Sequence, residues 1–190
     1  MTMAWLGRLN WIDLVVGLIF VRIIFVGINT GFVIEFFKFL GTLFTVFVCL
    51  HYFSPLSGLL TSFTSSPLVI AVCVTFLLFW LFLFLLCKII RDGLLMVFSI
   101  EAQAFVDKWG GALVALARAC LVASMVLFFF LLTENSYLEG MTARSLSGRY
   151  LAPVSPGVYR TIHESLVAKL FSGDRLNSEV SRQLGKIERR

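Results

Sequence analysis

The sequence predicts an all-α membrane protein: four transmembrane helices at about 11–28, 31–53, 68–87 and 111–132, with an interfacial helix and a C-terminal amphipathic helix. Three observations carry this prediction. Of 190 residues, 59% are hydrophobic and only 14% are charged, against about 45–50% and about 25% in soluble domains. A chain this short has too little interior to hide so much apolar surface from water, and its twenty phenylalanines are foreign to disordered segments. The apolar residues also gather into four runs, each close to the roughly 20 residues a spanning helix needs. Finally, the runs are continuous. They lack the short alternating segments of an outer-membrane barrel, which leaves helices, whose backbone bonds are all satisfied internally.

The first run extends from Trp11 to Ile28 and is interrupted by Asp13 and Arg22. Arg8 would be a thin basic leader for a signal peptide, but Gly27-Ile28-Asn29-Thr30 is a poor cleavage site, so the run is expected to be retained. Gly27 to Gly31 then makes a tight turn, and the first two spans form a hairpin. The second run, Gly31 to Phe53, carries Glu35 and Lys38 in its first two turns. Ser54 to Pro67 is rich in Ser, Thr and Pro without a charge, and reads as a connector. Leu68 to Cys87 is a third span with no charge at all.

Lys88 to Gly110 follows. Its Leu94, Leu95, Met96 and Phe98, then Glu101, Gln103 and Asp107, fit an amphipathic helix in the headgroup plane; an ordinary solvated connector fits equally. Gly111 to Leu132 is the fourth span, with Arg118 its single charge. The chain thus divides into a transmembrane domain, 1–133, and a polar basic tail, 134–190. The tail is turn-rich up to Ser155. Ser155-Pro156 offers an N-cap with proline in the first helical position, Val158, Ile162, Leu166 and Leu170 recur at helical spacing, and Gly173 ends the run. One amphipathic helix at about 156–171 is expected, with Lys186, Arg189 and Arg190 in a frayed end.

The net charge of +5 divides unevenly, with most of the surplus in the tail as single residues interleaved with acids. There is no basic block of the kind that binds nucleic acid, and no nucleic-acid partner is expected. Lys88, Arg91 and Lys108 place the third connection in the cytoplasm and the charge-free second one outside. Arg22 and Lys38 flank the first turn and agree with its being inside. Four spans then put both termini outside, in the inner membrane of a bacterium; the basic tail argues the opposite way, but little of it lies near a membrane end. Cys49, Cys73, Cys87 and Cys120 sit in apolar runs without metal-ligand spacing and read as small buried hydrophobes. His51 and His163 look isolated. No catalytic set, metal site, phosphate-cradling loop or cofactor motif is present, so no enzyme and no cofactor are expected.

Charges inside a bilayer are costly and mark residues that need a reason. Arg22, Glu35, Lys38 and Arg118 lie within about two turns of the same membrane face. Glu35 and Arg118 are expected to pair between helices, with Arg22 as the competing partner, while Asp13 reaches headgroup water at the opposite face. A pair of this kind either sets helix register or marks an ion path. Gly111, Ala115, Ala119 and Ala123 form a four-residue stripe on the fourth span, a surface that lets helix backbones approach closely. Its partner helix lies in this chain or in another subunit.

Several segments then resemble a known family. Asn10-Trp11-Ile12-Asp13 at the first span, Gly31-Phe32-Val33-Ile34-Glu35 at the second, and Asp107-Lys108-x-x-Gly111…Arg118 at the fourth are similar to the colicin V production protein family, over roughly residues 9–171. The family-motif positions are Asp13, Gly31, Glu35, Asp107, Gly111 and Arg118, and the Leu151-Ala152-Pro153 step before the tail helix also matches. Ile34 stands where the family has a basic residue, and Ala115 and Ala119 where it has glycines. The resemblance implies four inner-membrane helices and a role in colicin V production or export and in envelope maintenance, and it establishes no catalytic activity. Fusion of related domains to extracytoplasmic proteases implies an outward C-terminus. The expected function is a non-enzymatic membrane protein supporting toxin export and envelope homeostasis, whose partners are the lipid bilayer and a membrane or envelope protein or a second copy. The alternative is a small channel or transporter built on Glu35 and Arg118.

Overall fold

Asn10 opens the first helix. Its side chain accepts from the Trp11 N–H at 2.8 Å while Asp13 accepts from the Asn10 N–H at 3.1 Å, a reciprocal cap that satisfies amides otherwise orphaned at a helix start. The computed structural model describes residues 10–63, 68–97, 104–167, 169 and 176–188. Among them, α1 (Trp11–Thr30), α2 (Phe32–Phe63), α3 (Leu68–Val97) and α4 (Ala104–Leu132) are long and apolar enough to cross a membrane. The tail adds α5 (Ser136–Arg144), α6 (Leu146–Leu151), α7 (Val154–Ile162) continued by a π-helical turn (His163–Val167), and α8 (Ser178–Glu188). No strand occurs among the described residues.

Gly31, at φ 83°, ends α1 and starts α2. A left-handed backbone there favours glycine, and it folds the two helices into the expected hairpin. The helices nevertheless pack little on each other: α1 lies on α4, α4 on α2, and α2 on α3. The small-residue stripe explains the first of these pairings. Gly111, Ala115, Ala119 and Ala123 are all buried, and a Cβ on Gly111 would lie 2.7 Å from the Gly27 carbonyl oxygen, while one on Gly27 would overlap the Ala115 side chain. The stripe's partner is therefore α1 of the same chain. Further along this seam Ile12, Val16, Ala123 and Leu127 share one buried cluster.

The larger core gathers Val46, Leu50 and Phe53 of α2, Phe76 and Leu83 of α3, and Met125 and Phe128 of α4. Phe53 meets Phe76 and Phe128 edge-on, with centroids 5.6 and 6.3 Å apart, the favoured geometry for aromatic pairs. Leu14, Phe25, Phe82, Ile89 and Leu113 lie on the outside. Apolar surface on this scale suits lipid rather than water.

The spans run past their expected ends. α2 continues ten residues beyond Phe53, straight through Pro55. Proline removes the amide that would bond the His51 carbonyl, and Asn177 replaces it: its Nδ2 donates to the Leu50 carbonyl at 2.8 Å and the His51 carbonyl at 3.3 Å. α3 reaches Val97 rather than Cys87, and α4 begins at Ala104 rather than Gly111, because Lys88, Arg91 and Lys108 end the apolar stretch without ending the helix. The described part of the supposed interfacial helix thus belongs to these two spans; Phe98, Glu101 and Gln103 lie outside the described residues.

The tail is more helical than expected and is not turn-rich before Ser155. Asn135 and Ser145 cap α5 and α6, accepting from the Tyr137 N–H at 2.9 Å and the Gly148 N–H at 2.9 Å. α7 starts at Val154, so Ser155 and Pro156 lie inside it instead of capping it, because the Ser155 amide is taken by Ser124 Oγ at 2.7 Å. Leu170 and Gly173 lie outside the described residues, as do Arg189 and Arg190. Lys186 belongs to α8 rather than to a frayed end; Val180 and Leu184 of that helix are buried, and burial of an apolar face holds a short helix together. These helices pack where α1 begins and α4 ends, closing that end of the bundle.

Candidate functional site

At the opposite end, the Gly31 turn places Glu35 in the first turn of α2, beneath Gly27, fully buried. A buried carboxylate needs compensating charge or hydrogen bonds, and three groups supply them. The Arg118 guanidinium of α4 lies 2.5 Å from Oε1, and Lys38 Nζ lies 2.9 Å from Oε2. Lys38 also donates to Thr30 Oγ1 at 3.1 Å. The Thr30 hydroxyl has its proton within reach of the Val26 carbonyl at 2.9 Å and of Glu35 Oε2 at 3.2 Å. One carboxylate thus joins the end of α1, the start of α2 and the middle of α4.

The Glu35–Arg118 pair forms as expected, but its second cation is Lys38, one turn along the same helix, and not Arg22. Arg22 is exposed and instead faces a cleft of about 610 Å³ between α1 and α3, floored by α2 and α4. Five cations line this cleft: Arg22, Lys38, Lys88, Arg91 and Arg118. Two carboxylates answer them, Glu35 for Lys38 and Arg118, and Asp92 for Arg91 at 2.5 Å. Arg22 and Lys88 have no carboxylate partner among the described residues. Five positive groups against two negative ones leave a surplus of three in a low-dielectric wall, where field lines concentrate. The chemistry this favours is the binding of an anion.

Lys88 and Arg91 look like ordinary loop charges in the sequence. Their signal is positional: Leu77, Leu81, Phe84, Lys88 and Arg91 recur at 4-3-4-3 spacing, so one face of α3 turns from apolar to cationic. Asp13 departs from expectation in another way. Instead of reaching headgroup water, it accepts from the Ser147 N–H at 2.8 Å and from the Ser147 hydroxyl, fastening α1 to α6. Asp107 is on the first turns of α4; its side chain is outside the described residues. The packing stripe belongs to the α1–α4 seam and lies behind the cleft.

The histidines are not isolated. His51 and His163 stack with centroids 6.1 Å apart, and His51 Nδ1 lies 3.0 Å from Tyr159 Oη, which also accepts from the Asn177 N–H at 3.1 Å. This cluster docks the tail onto α2. The cleft is the stronger candidate site.

Two motif positions, Glu35 and Arg118, thus meet in space, while Gly111 meets the α1 end of the turn beside Gly31. A family model, that of the colicin V production protein, matches residues 12–156, three-quarters of the chain. The chain belongs to the colicin V production protein family. No curated protein and no solved structure matches it. Membership accounts for the four apolar helices, identifies a membrane protein, and points to a role in colicin V production. The matched region ends inside α7, so it contains the whole bundle and the first tail helices that cap it.

Proposed function

We propose that this member of the colicin V production family is a non-enzymatic, multi-pass protein of the bacterial inner membrane that supports export of the toxin and homeostasis of the envelope. The observation that carries the reading is the family match across the whole bundle. The architecture agrees with a supporting role, since ion and hydrogen bonds fasten both ends of the bundle and its outer surface is open to lipid or to a partner helix. A membrane or envelope protein, or a second copy, is the expected partner. The cleft end, with Arg22, Lys38, Lys88, Arg91, Lys108 and Arg118, is assigned to the cytoplasm, and the helical cap and both termini to the outside.

Deletion in a strain that secretes colicin V tests the role. The expected result is reduced toxin in the medium and greater sensitivity to envelope stress, both restored by the intact gene. Unchanged secretion and unchanged sensitivity would remove the reading.

A second reading, a channel or transporter, is favoured by one observation, the cleft beside Glu35 and Arg118. Against it, the Phe53, Phe76 and Phe128 rings fill the bundle between the cleft and the tail. It predicts an ion flux in liposomes that Glu35→Gln and Arg118→Gln abolish with the fold retained. No flux in the unsubstituted protein would dismiss it.

A further inference from the structure

The basic cleft does not stop at its charges. A second cavity, of about 370 Å³, shares Thr42, Thr45, Phe84 and Val122 with it and continues along α3 past Trp80, Leu81 and Leu77. The two form one groove, cationic at the end near the α1–α2 turn and apolar beyond. From Arg91 to Leu77 it follows α3 for about 21 Å at the helical rise. One leaflet of hydrocarbon is about 15 Å deep, so the groove has room for a headgroup followed by a single acyl chain. Its mouth lies between α1 and α3, which make little or no contact with each other, and it therefore opens sideways toward lipid.

We infer that this groove is a binding site for one anionic lipid, its phosphate held among Arg22, Lys88 and Arg91 with Lys38 and Arg118 behind them, and one acyl chain against Phe84, Leu81 and Trp80. Charge complementarity selects the headgroup. A phosphate monoester or diester carries one or two negative charges, opposite in sign to the surplus of positive charge, and arginine presents its N–H groups in a fork suited to phosphate oxygens. The apolar continuation selects a lipid over a soluble anion, because an inorganic phosphate would leave the inner part of the groove without an occupant. Glu35 has a definite part in this arrangement: it offsets Lys38 and Arg118 so that the bundle can close, and leaves the outer cations for the ligand. The inference is independent of the toxin-export reading; a lipid site would persist if that role failed.

Trp80 serves as the reporter, since it lines the apolar part of the groove. The 190-residue chain, with Trp5, Trp11 and Trp109 replaced by phenylalanine, is reconstituted in phosphatidylcholine vesicles containing roughly one lipid in ten as dibrominated phosphatidic acid or dibrominated phosphatidylcholine. Bromine on a bound chain quenches Trp80. The expected result is roughly thirtyfold stronger apparent association of the anionic lipid, as two cations near a membrane surface provide. Arg22→Gln with Lys88→Gln, neither of which touches the Glu35 cluster, should bring the two lipids level, and Arg22→Lys with Lys88→Arg should retain the preference. Helical content measured on each variant separates loss of binding from loss of fold. Equal quenching by the two lipids, or a preference that survives the double glutamine variant, overturns the inference. Stabilisation by inorganic phosphate alone, dependent on Arg22 and Lys88 but without a lipid preference, would assign the cations to a soluble anion and overturn it as well.

Discussion

Glu35 is the residue on which the cleft end of the bundle depends. Arg118 and Lys38 are 12% and 10% exposed at their side chains and share this single carboxylate. Glu35→Ala would leave two buried cations facing each other, and breaking a buried pair from one side typically costs about 3–5 kcal/mol. Denaturant or thermal unfolding in a fixed detergent should show a loss of that order, with less lost when Arg118→Met is added, because the second substitution removes one of the two stranded charges. A variant as stable as the parent would mean that the pair does not hold α4 to the hairpin. The signal for this site is plain in the sequence, since few charges interrupt the apolar runs and each must be reconciled with lipid. Which cation Glu35 takes is not. Lys38 and Arg22 are both within reach of the turn by sequence, and only the rotation of α1, set by Gly27 packing under Ala115, turns Arg22 toward the cleft.

At the scale of single elements, close packing and helix continuity make separate predictions. Gly27→Leu would drive a large side chain into Ala115 and the Gly111 backbone. Overpacking of this kind costs about 1–3 kcal/mol or more, and unfolding measurements should register it, whereas Gly17→Leu, where nothing lies within 4 Å, should be nearly neutral. Equal effects at the two glycines would contradict the α1–α4 seam. For α2 the critical residue is outside the helix. Asn177→Ala leaves the carbonyl freed by Pro55 without its donor and is expected to cost about 1–3 kcal/mol; adding Pro55→Ala should recover part of the loss by restoring an amide to the His51 carbonyl. Faster proteolysis of the tail in Asn177→Ala, reduced again in the double variant, would be the accompanying sign. If Pro55→Ala gives no recovery, Asn177 acts through something other than the proline.

This dependence also explains why the end of α2 could not be read from the sequence. Proline and a run of serines normally announce a connector, and the group that offsets the proline lies 126 positions beyond His51. The same holds at α3 and α4, where the charges mark where hydrocarbon ends and the helices carry on into the headgroups. Helices α5 and α6 are short and polar, so their apolar periodicity is weak, and their stability comes from contacts with α1 and α4 that no local pattern announces; α8 does carry Val180, Leu184 and Ile187 at helical spacing, but in a run of only eleven residues dominated by polar side chains. Small residues at four-residue spacing, by contrast, were legible as a packing face because a helix places them on one line whatever it packs against.

The whole molecule is a bundle with two unlike ends. One is a basic cleft around Glu35; the other is a cap in which Asp13 meets Ser147, Ser124 meets Ser155, and Tyr159 and Asn177 meet α2. Around the rim of the cap, Arg182 bridges Glu134 and Glu179 at 2.8 and 2.7 Å. Those carboxylates hold its pKa above the usual arginine range. The bridge is exposed, however, and is expected to contribute less than about 1 kcal/mol. Cytoplasmic connections carry the basic residues in membrane proteins, and under the proposed function the cleft faces the cytoplasm and the cap the outside; the proposed lipid site would then draw on the leaflet richest in anionic headgroups, with the cap presented to the envelope. The proposed roles of both ends rest on this orientation of a capped, four-span bundle. Alkaline phosphatase and a fluorescent protein, each fused after Arg190, test it directly. An active phosphatase and a dark fluorescent protein are expected. A bright fluorescent protein with an inactive phosphatase would place the cap in the cytoplasm and contradict it.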